Sequence, residues 1–362
     1  MYRINFNYDT SSDYYRLFTG THIYCIRNFK RREMVTDLAV IVPCYNEALS
    51  IADTLMQLKF AVVKLNQMYG PLDIGIWVYD NNSMDNTVEK TVEWSCLNRD
   101  INVSVMQCFE QGKGNVIRQA FTQIDARVYC MIDGDNTYGV ENFTEMYETI
   151  VSGRADMVTG DRLSTSYFTE NKRRFHNFGN RLMKNSINRM FDKNYKDILS
   201  GFRMFSYRFV KTFPVLSEGF SIETEMNIHA AANKIPTADV KTEYHDRITG
   251  SESKLQTIPD GIRVLKQLFM MIWLYKPLKF YGLISIILFV AGVLFNIPVF
   301  MEYFETGLVK RFPTLIAGCF LMLTGIIAFF VGQIQESDNV RQRQNFRIKF
   351  MEKDKECRKN EK

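Results

Sequence analysis

Apolar residues fall into two kinds of run along this chain. In the first half, short β-rich stretches recur, each followed by a polar or glycine-bearing loop and then a helical pattern. "LAVIVP" (Leu38–Pro43) leads into Ile51, Leu55, Leu58, Val62 and Leu65, whose 3–4 spacing predicts a helix over 50–68. "IGIWVYD" (Ile74–Asp80) precedes a predicted helix at 86–97, "NVSVMQC" (Asn102–Cys108) one at 115–123, and "VYCMID" one at 141–151. "DMVTG" adds a further strand. Strands alternating with helices predict a mostly parallel α/β sheet covered on both faces. Ligands of such sheets bind outside the carboxyl ends of the strands.

The second kind of run is long. No charged residue occurs from Phe280 to Met301 or from Phe312 to Gln335. Each run exceeds the roughly 20 apolar residues needed to cross a bilayer. Arg263, Lys266, Lys276 and Lys279 precede the first, and Arg341, Arg343, Arg347 and Lys349 follow the second. The positive-inside rule then places both ends, and the domain ahead of the spans, in the cytoplasm. Ahead of the spans, Ile262, Leu265, Leu268, Phe269, Ile272 and Trp273 form an apolar face beside the bases, as on a helix lying along a membrane surface. The expected division is an extension with no assigned role (1–36), a sheet-bearing catalytic domain (37–257), a surface helix (258–279), two spans (280–335) and a mixed-charge cytoplasmic tail (336–362).

Composition narrows the classes. At 362 residues with 46% hydrophobic content, the chain has ample material for a core. A net charge of +5 gives no sign of a nucleic-acid binder, whose bases cluster more strongly. Seven scattered cysteines form no C-x-x-C pair and have no histidine at zinc-like spacing, which fits free thiols in a reducing compartment. The first 20 residues carry no apolar signal-peptide core.

Four polar clusters sit at successive strand ends. Asp133 and Asp135, separated by Gly134, would repel each other in a poorly solvated cleft unless a divalent cation neutralised them. A solvated turn would also explain the sequence D-G-D. Asp80 ends a strand where a carboxylate can accept from ribose hydroxyls or a base N–H, and Asn82 follows it. Asp85 reads as a helix cap. In "PCYNEA", Pro43, Tyr45, Asn46 and Glu47 close the first strand, with Tyr45 able to stack on a base and Glu47 to accept a hydrogen bond. In "EQGKGNVIRQAF", Gly112 and Lys113 open a helix, an arrangement suited to a phosphate, although the Walker spacing is absent.

Together, "VPCYNEA", "YDNNSMDNT", "GKGNVIRQAF" and "DGDNTY" resemble, in order, the motifs of the family 2 glycosyltransferases with the GT-A fold. The resemblance runs from about Asp37 to Leu255. "SGFRMFS", "GFSIETEMNIHA" and "RITGSESKL" make the chain most similar to the polyprenyl-phosphate sugar transferases, such as the dolichol-phosphate mannose and glucose synthases and their bacterial undecaprenyl-phosphate counterparts.

The resemblance implies a nucleotide diphosphate sugar as donor, its nucleoside near Pro43, Tyr45, Glu47 and Asp80. It makes Asp133 and Asp135 the D-x-D pair holding Mg²⁺ or Mn²⁺ against the diphosphate. Where some synthases have a third metal-site residue, a Gln, this chain has Thr137. A lipid phosphate acceptor is already anionic and needs cations more than a base. Arg162, Arg203, Arg247, Ser251 and Lys254 are the expected acceptor-phosphate group, with Asp161 orienting an arginine; residues 171–191 resemble the family's mobile acceptor segment, from which Arg173 or Arg174 is a further candidate for the lipid phosphate. Glu223 and Glu225 are read as structural or orienting, because the Q-x-x-R-W motif of processive hydroxyl-acceptor enzymes is missing. Transfer to a glycolipid or polysaccharide hydroxyl, and a silent nucleotide-sugar-binding subunit, stand as alternatives. The sequence leaves homo-oligomerisation open.

Overall fold

The computed structural model describes residues 6–7, 14–19, 22–27, 36–163, 174–217, 222–245 and 269–359. Three antiparallel strands come first: β1 (Phe6–Asn7), β2 (Tyr14–Thr19) and β3 (His22–Arg27). The extension to which the sequence assigned no role thus contains a small sheet of its own.

The main sheet is built from β4 (Thr36–Cys44), β5 (Ile74–Asp80), β6 (Asn102–Gln107), β7 (Ala126–Met131), β8 (Met157–Asp161), β9 (Arg203–Ser206) and β10 (Thr237–Lys241). Their order is β10-β8-β9-β7-β4-β5-β6. All neighbours are parallel except β9, which pairs antiparallel with both β7 and β8. Every residue of β5 is buried, as expected of a central parallel strand covered on both faces. The intervening helices are α1 (Ile51–Tyr69), α2 (Thr87–Leu97), α3 (Lys113–Gln123) and α4 (Phe143–Val151). They begin one to two residues from the predicted starts, which is the usual scatter of helix ends. On α1 the predicted stripe of Ile51, Leu55, Leu58, Val62 and Leu65 is buried against the sheet. Each such side chain contributes about 1.5–3 kcal/mol of hydrophobic stabilisation. The later segments α5 (Arg174–Phe191), α6 (Tyr207–Thr212) and α7 (Ile222–Ala232) flank β9 and β10 in sequence.

The chain divides into two compact units, 1–254 with 348–362, and 255–347. The second contains helical residues 269–275 (α8), then α9 (Pro277–Thr306) and α10 (Phe312–Lys359) as far as Arg347. Of the predicted surface helix, residues 258–268 lie outside the described residues; residues 269–275 are helical, and the helix breaks at Lys276 before Pro277 opens α9. Both α9 and α10 are long and apolar enough to cross a membrane, with mean hydropathies of 2.5 and 2.4 over an 18-residue stretch of each. They pack through glycines. A Cβ on Gly325 would meet the Ser285 carbonyl at 2.9 Å, and one on Gly332 the Tyr281 Cβ at 2.9 Å. Gly318 lies against the buried Asn296 side chain. Small residues at such contacts let helix backbones approach. The tail separated at 336 in the sequence is a continuation of α10 rather than a distinct element. Its last turns cluster with the first unit, where Arg208 pairs with Asp354 at 2.9 Å and covers the buried Phe350 ring.

Candidate active site

The D-G-D turn follows β7 and is held from three sides. Gly134 lies against Cys44, whose Sγ would be 2.5 Å from a Cβ there. Its carbonyl accepts from the Ser50 hydroxyl at 2.9 Å and the Thr54 hydroxyl at 3.2 Å, which ties the turn to the start of α1. Asn136 takes a left-handed φ of 57°. Asp135 is buried, and its Oδ1 accepts from the Thr137 hydroxyl at 2.7 Å and the Thr137 amide at 3.3 Å. Thr137 therefore orients one member of the pair. The buried Cys44 thiol is pushed well above its ordinary pKa, first by burial and then by Glu47, Asp80, Asp133 and Asp135. The negative charges at or just after the ends of β4, β5 and β7 thus all bear on this one thiol.

The loops that follow β4 and β5 are stitched together. Asn46 (φ 55°) donates its amide to Ser83 Oγ at 2.9 Å and accepts from the Met84 amide at 2.7 Å. The Glu47 amide donates to Thr87 Oγ1, and Asp85 accepts from the amides of Ala48 and Thr87. Asn86 is the N-cap residue of α2; Asp85, one position earlier, holds the first helical residue, Thr87, and ties the helix start to the neighbouring loop. Pro43 and Tyr45 are half-buried at the same strand end. Asp80 Oδ2 accepts from the Ser83 amide at 3.2 Å and Gln107 Nε2 at 3.0 Å, while its buried Oδ1 has no partner. Asn82 (φ 63°) donates to the Phe109 carbonyl at 2.7 Å. Asn81, which the sequence did not single out, shapes the next loop: it donates to the Cys108 and Glu110 carbonyls and accepts from the Gly112 amide at 2.6 Å.

That last bond changes the picture of the glycine–lysine segment. The Gly112 amide is engaged by Asn81 rather than offered to a phosphate. Lys113 opens α3, and its Nζ lies 2.5 Å from Asp133 Oδ1 and 2.5 Å from Glu223 Oε1. Burial alone would lower the lysine pKa; the two carboxylates outweigh it and raise it well above the usual range. The lysine is therefore firmly charged, and Glu223 is part of the same cluster.

The next strand ends supply the arginines. Arg162 donates to Asp197 Oδ2 at 2.7 Å, reaches the Tyr138 hydroxyl at 3.5 Å and lies 5.4 Å over the Tyr244 ring. The Tyr138 hydroxyl in turn accepts from the Gly201 amide at 2.7 Å. Asp161 is fully buried, and its Oδ1 accepts from the Leu163 amide; Arg162 forms an ion pair with Asp197, a residue the sequence did not single out. Arg203 is a correction. It was expected at the acceptor phosphate, but it is 0% exposed and donates inward to the carbonyls of Ser200 and Ile198 and to Asn227 Oδ1. With its donors used inside, it braces the 198–201 loop from below. Arg247, Ser251, Lys254 and Arg173 lie outside the described residues, as does the Arg174 side chain.

Comparisons with known proteins identify the family. Residues 39–213 match the family described as Glycosyl transferase family 2. Glycosyltransferase AglJ of Haloferax volcanii is 30% identical over 249 residues, 68% of this chain and 75% of the relative. The chain belongs to glycosyltransferase family 2. An uncharacterized Shigella flexneri protein is 42% identical over 147 residues, 41% of this chain and 90% of that protein. A solved glucosyl-3-phosphoglycerate synthase of Mycobacterium tuberculosis, in complex with Mn²⁺, UDP and phosphoglyceric acid, aligns over 68% of this chain and 84% of its own at 13% identity, with a TM-score of 0.46.

The chemistry of this glycosyltransferase is accordingly sugar transfer from a nucleotide sugar. Asp133 and Asp135 are the carboxylates the sequence offers to a metal; among the described residues no group of three His, Cys, Asp or Glu side chains gathers. Two carboxylates suit a hard divalent ion that completes its shell with phosphate oxygens and water.

Proposed function

We propose that this glycosyltransferase moves a sugar from a nucleotide diphosphate sugar to the monophosphate of a polyprenyl lipid, undecaprenyl or dolichyl in type, at the cytoplasmic face of a membrane. The observation that carries this reading is the state of Glu223. A hydroxyl acceptor needs a carboxylate base, and Glu223, which lies on the acceptor-side helix α7, is paired with Lys113 at 2.5 Å. A phosphate acceptor needs no such base. The two apolar helices support a membrane setting, with both ends on the basic, cytoplasmic side.

In this reading the nucleoside lies against Tyr45, and the partnerless Asp80 Oδ1 accepts an N–H or hydroxyl from it. Asp133 and Asp135 would hold Mg²⁺ or Mn²⁺, which would supply charge stabilisation for the leaving diphosphate. Arg162, fixed by Asp197 and Tyr138, meets the acceptor phosphate. Arg247, Ser251 and Lys254 complete that cradle. Attack of the phosphate oxygen in line with the departing diphosphate inverts the anomeric centre. The test is to incubate purified protein and a polyprenyl phosphate with a panel of nucleotide sugars, with and without Mg²⁺ or Mn²⁺. A charged glycolipid formed only with phosphate and metal present is expected; equal transfer to a lipid alcohol would contradict the reading.

A further inference from the structure

Lys113, Asp133 and Glu223 form a line of alternating charge that the reaction as described does not need. The lysine side chain is 8% exposed and that of Glu223 6%, whereas that of Asp133 is 27% exposed. The glutamate end is thus closed and the aspartate end open. Among the described residues, Lys113 is the cation paired with Asp133. A divalent ion on the Asp133–Asp135 pair would place two cations on one carboxylate, and like charges at that spacing repel strongly in a poorly solvated site. A donor diphosphate removes the conflict, because it brings its own negative oxygens within reach of a four-carbon lysine stem.

We propose that Lys113 is an exchangeable counter-ion for Asp133: it neutralises Asp133 before loading and passes to the donor diphosphate when metal and donor bind together, with Glu223 as the anchor that keeps it in reach. This rests on the reading that Asp133 and Asp135 hold the metal. Glu223 is on this account a positioning residue, and metal and donor load cooperatively. The metal alone competes with a lysine for its ligand, whereas the metal with a diphosphate does not.

The test is Mn²⁺ binding by full-length protein in detergent, followed by loss of the free-ion EPR signal, with no nucleotide and with UDP or GDP. Wild type should bind Mn²⁺ much more tightly when a nucleoside diphosphate is present. Lys113→Met should bind Mn²⁺ alone about tenfold more tightly than wild type, and most of the nucleotide enhancement should disappear. Glu223→Gln should shift nucleotide-free affinity the opposite way, because it removes negative charge and leaves the lysine to Asp133. A purely structural role for Glu223 would move neither affinity in that pattern. If Lys113→Met does not fold, the charge-balanced pair Lys113→Met with Glu223→Gln should still bind Mn²⁺ alone more tightly than wild type. Folded variants lacking Lys113 that bind Mn²⁺ alone no better than wild type overturn the inference. Asp135→Asn separates the two layers. If it loses nucleotide-dependent Mn²⁺ binding while the lysine variants behave like wild type, only the exchange falls; if it binds like wild type, the metal assignment falls and the exchange with it.

Discussion

Gly201 lies directly beneath the Asp133 carboxylate, so close that a Cβ built on the glycine would collide with Oδ2. Its amide donates to the Tyr138 hydroxyl at 2.7 Å, which fixes the loop from the other side. Gly201→Ala should therefore displace Asp133 while leaving the sheet intact. Steady-state rates should fall about 10²-fold, the scale of a 1 Å misplacement at a reacting centre, with an unchanged circular dichroism spectrum. A variant with wild-type turnover would show that the Asp133 position is not critical.

Asp80 gives a prediction on the donor side. Its buried Oδ1 is without a partner while Oδ2 is engaged by Ser83 and Gln107. Asp80→Asn weakens a charge-assisted bond to the donor, so the donor KM should rise about tenfold or more with little change in acceptor KM. Equal changes in both constants would place Asp80 elsewhere in the mechanism.

Arg203 should behave as a scaffold residue. Burial pushes its pKa down, and its bonds to Ser200, Ile198 and Asn227 keep the charge satisfied. Arg203→Met should cost about 2–4 kcal/mol of stability by stranding those acceptors. Thermal melts should show the loss, and the acceptor KM of the folded fraction should stay near wild type. A selective rise in acceptor KM would restore Arg203 to the phosphate.

Asp239, on β10, has its carboxyl pKa raised to about 6, mainly by burial, with Asp161 adding to the shift and the bond from the Lys196 amide opposing it. An acid whose folded pKa is raised makes the folded state hold a proton that the unfolded chain has released. Stability therefore declines as pH rises from about 3.8 to about 6, and the loss is complete above that. Asp239→Asn should raise the melting temperature at pH 7 and have little effect at pH 3. A gain that is constant with pH would contradict the assignment.

Much of the fold was visible in the sequence because parallel strands buried on both faces are continuous apolar runs. β4, β5 and β7 stood out for that reason. β9 did not: it has four residues, runs against its neighbours, and sits inside a segment whose glycine and arginine drew attention as a motif. β10, "TADVK", buries only Val240, so no run marks it. The site divides in the same way. Asp80, Asp85, Asp133 and Asp135 lie at strand ends or a helix start, where local pattern identifies them. The Lys113–Glu223 pair joins residues 110 positions apart, and the Arg162–Asp197 pair joins residues 35 apart. Such contacts exist only once the sheet has formed, so the pairing of Lys113 with Glu223 was invisible and Arg203 read as an acceptor-phosphate residue.

The acceptor is the claim on which the rest depends, and the linkage in the product reports it directly. The measurement is a ³¹P NMR spectrum of the lipid recovered after turnover with a nucleotide sugar and polyprenyl phosphate. The account predicts that the lipid monoester resonance gives way to a phosphodiester coupled to an inverted anomeric proton. Sugar attached through a hydroxyl, with the lipid monoester resonance unchanged, would contradict it.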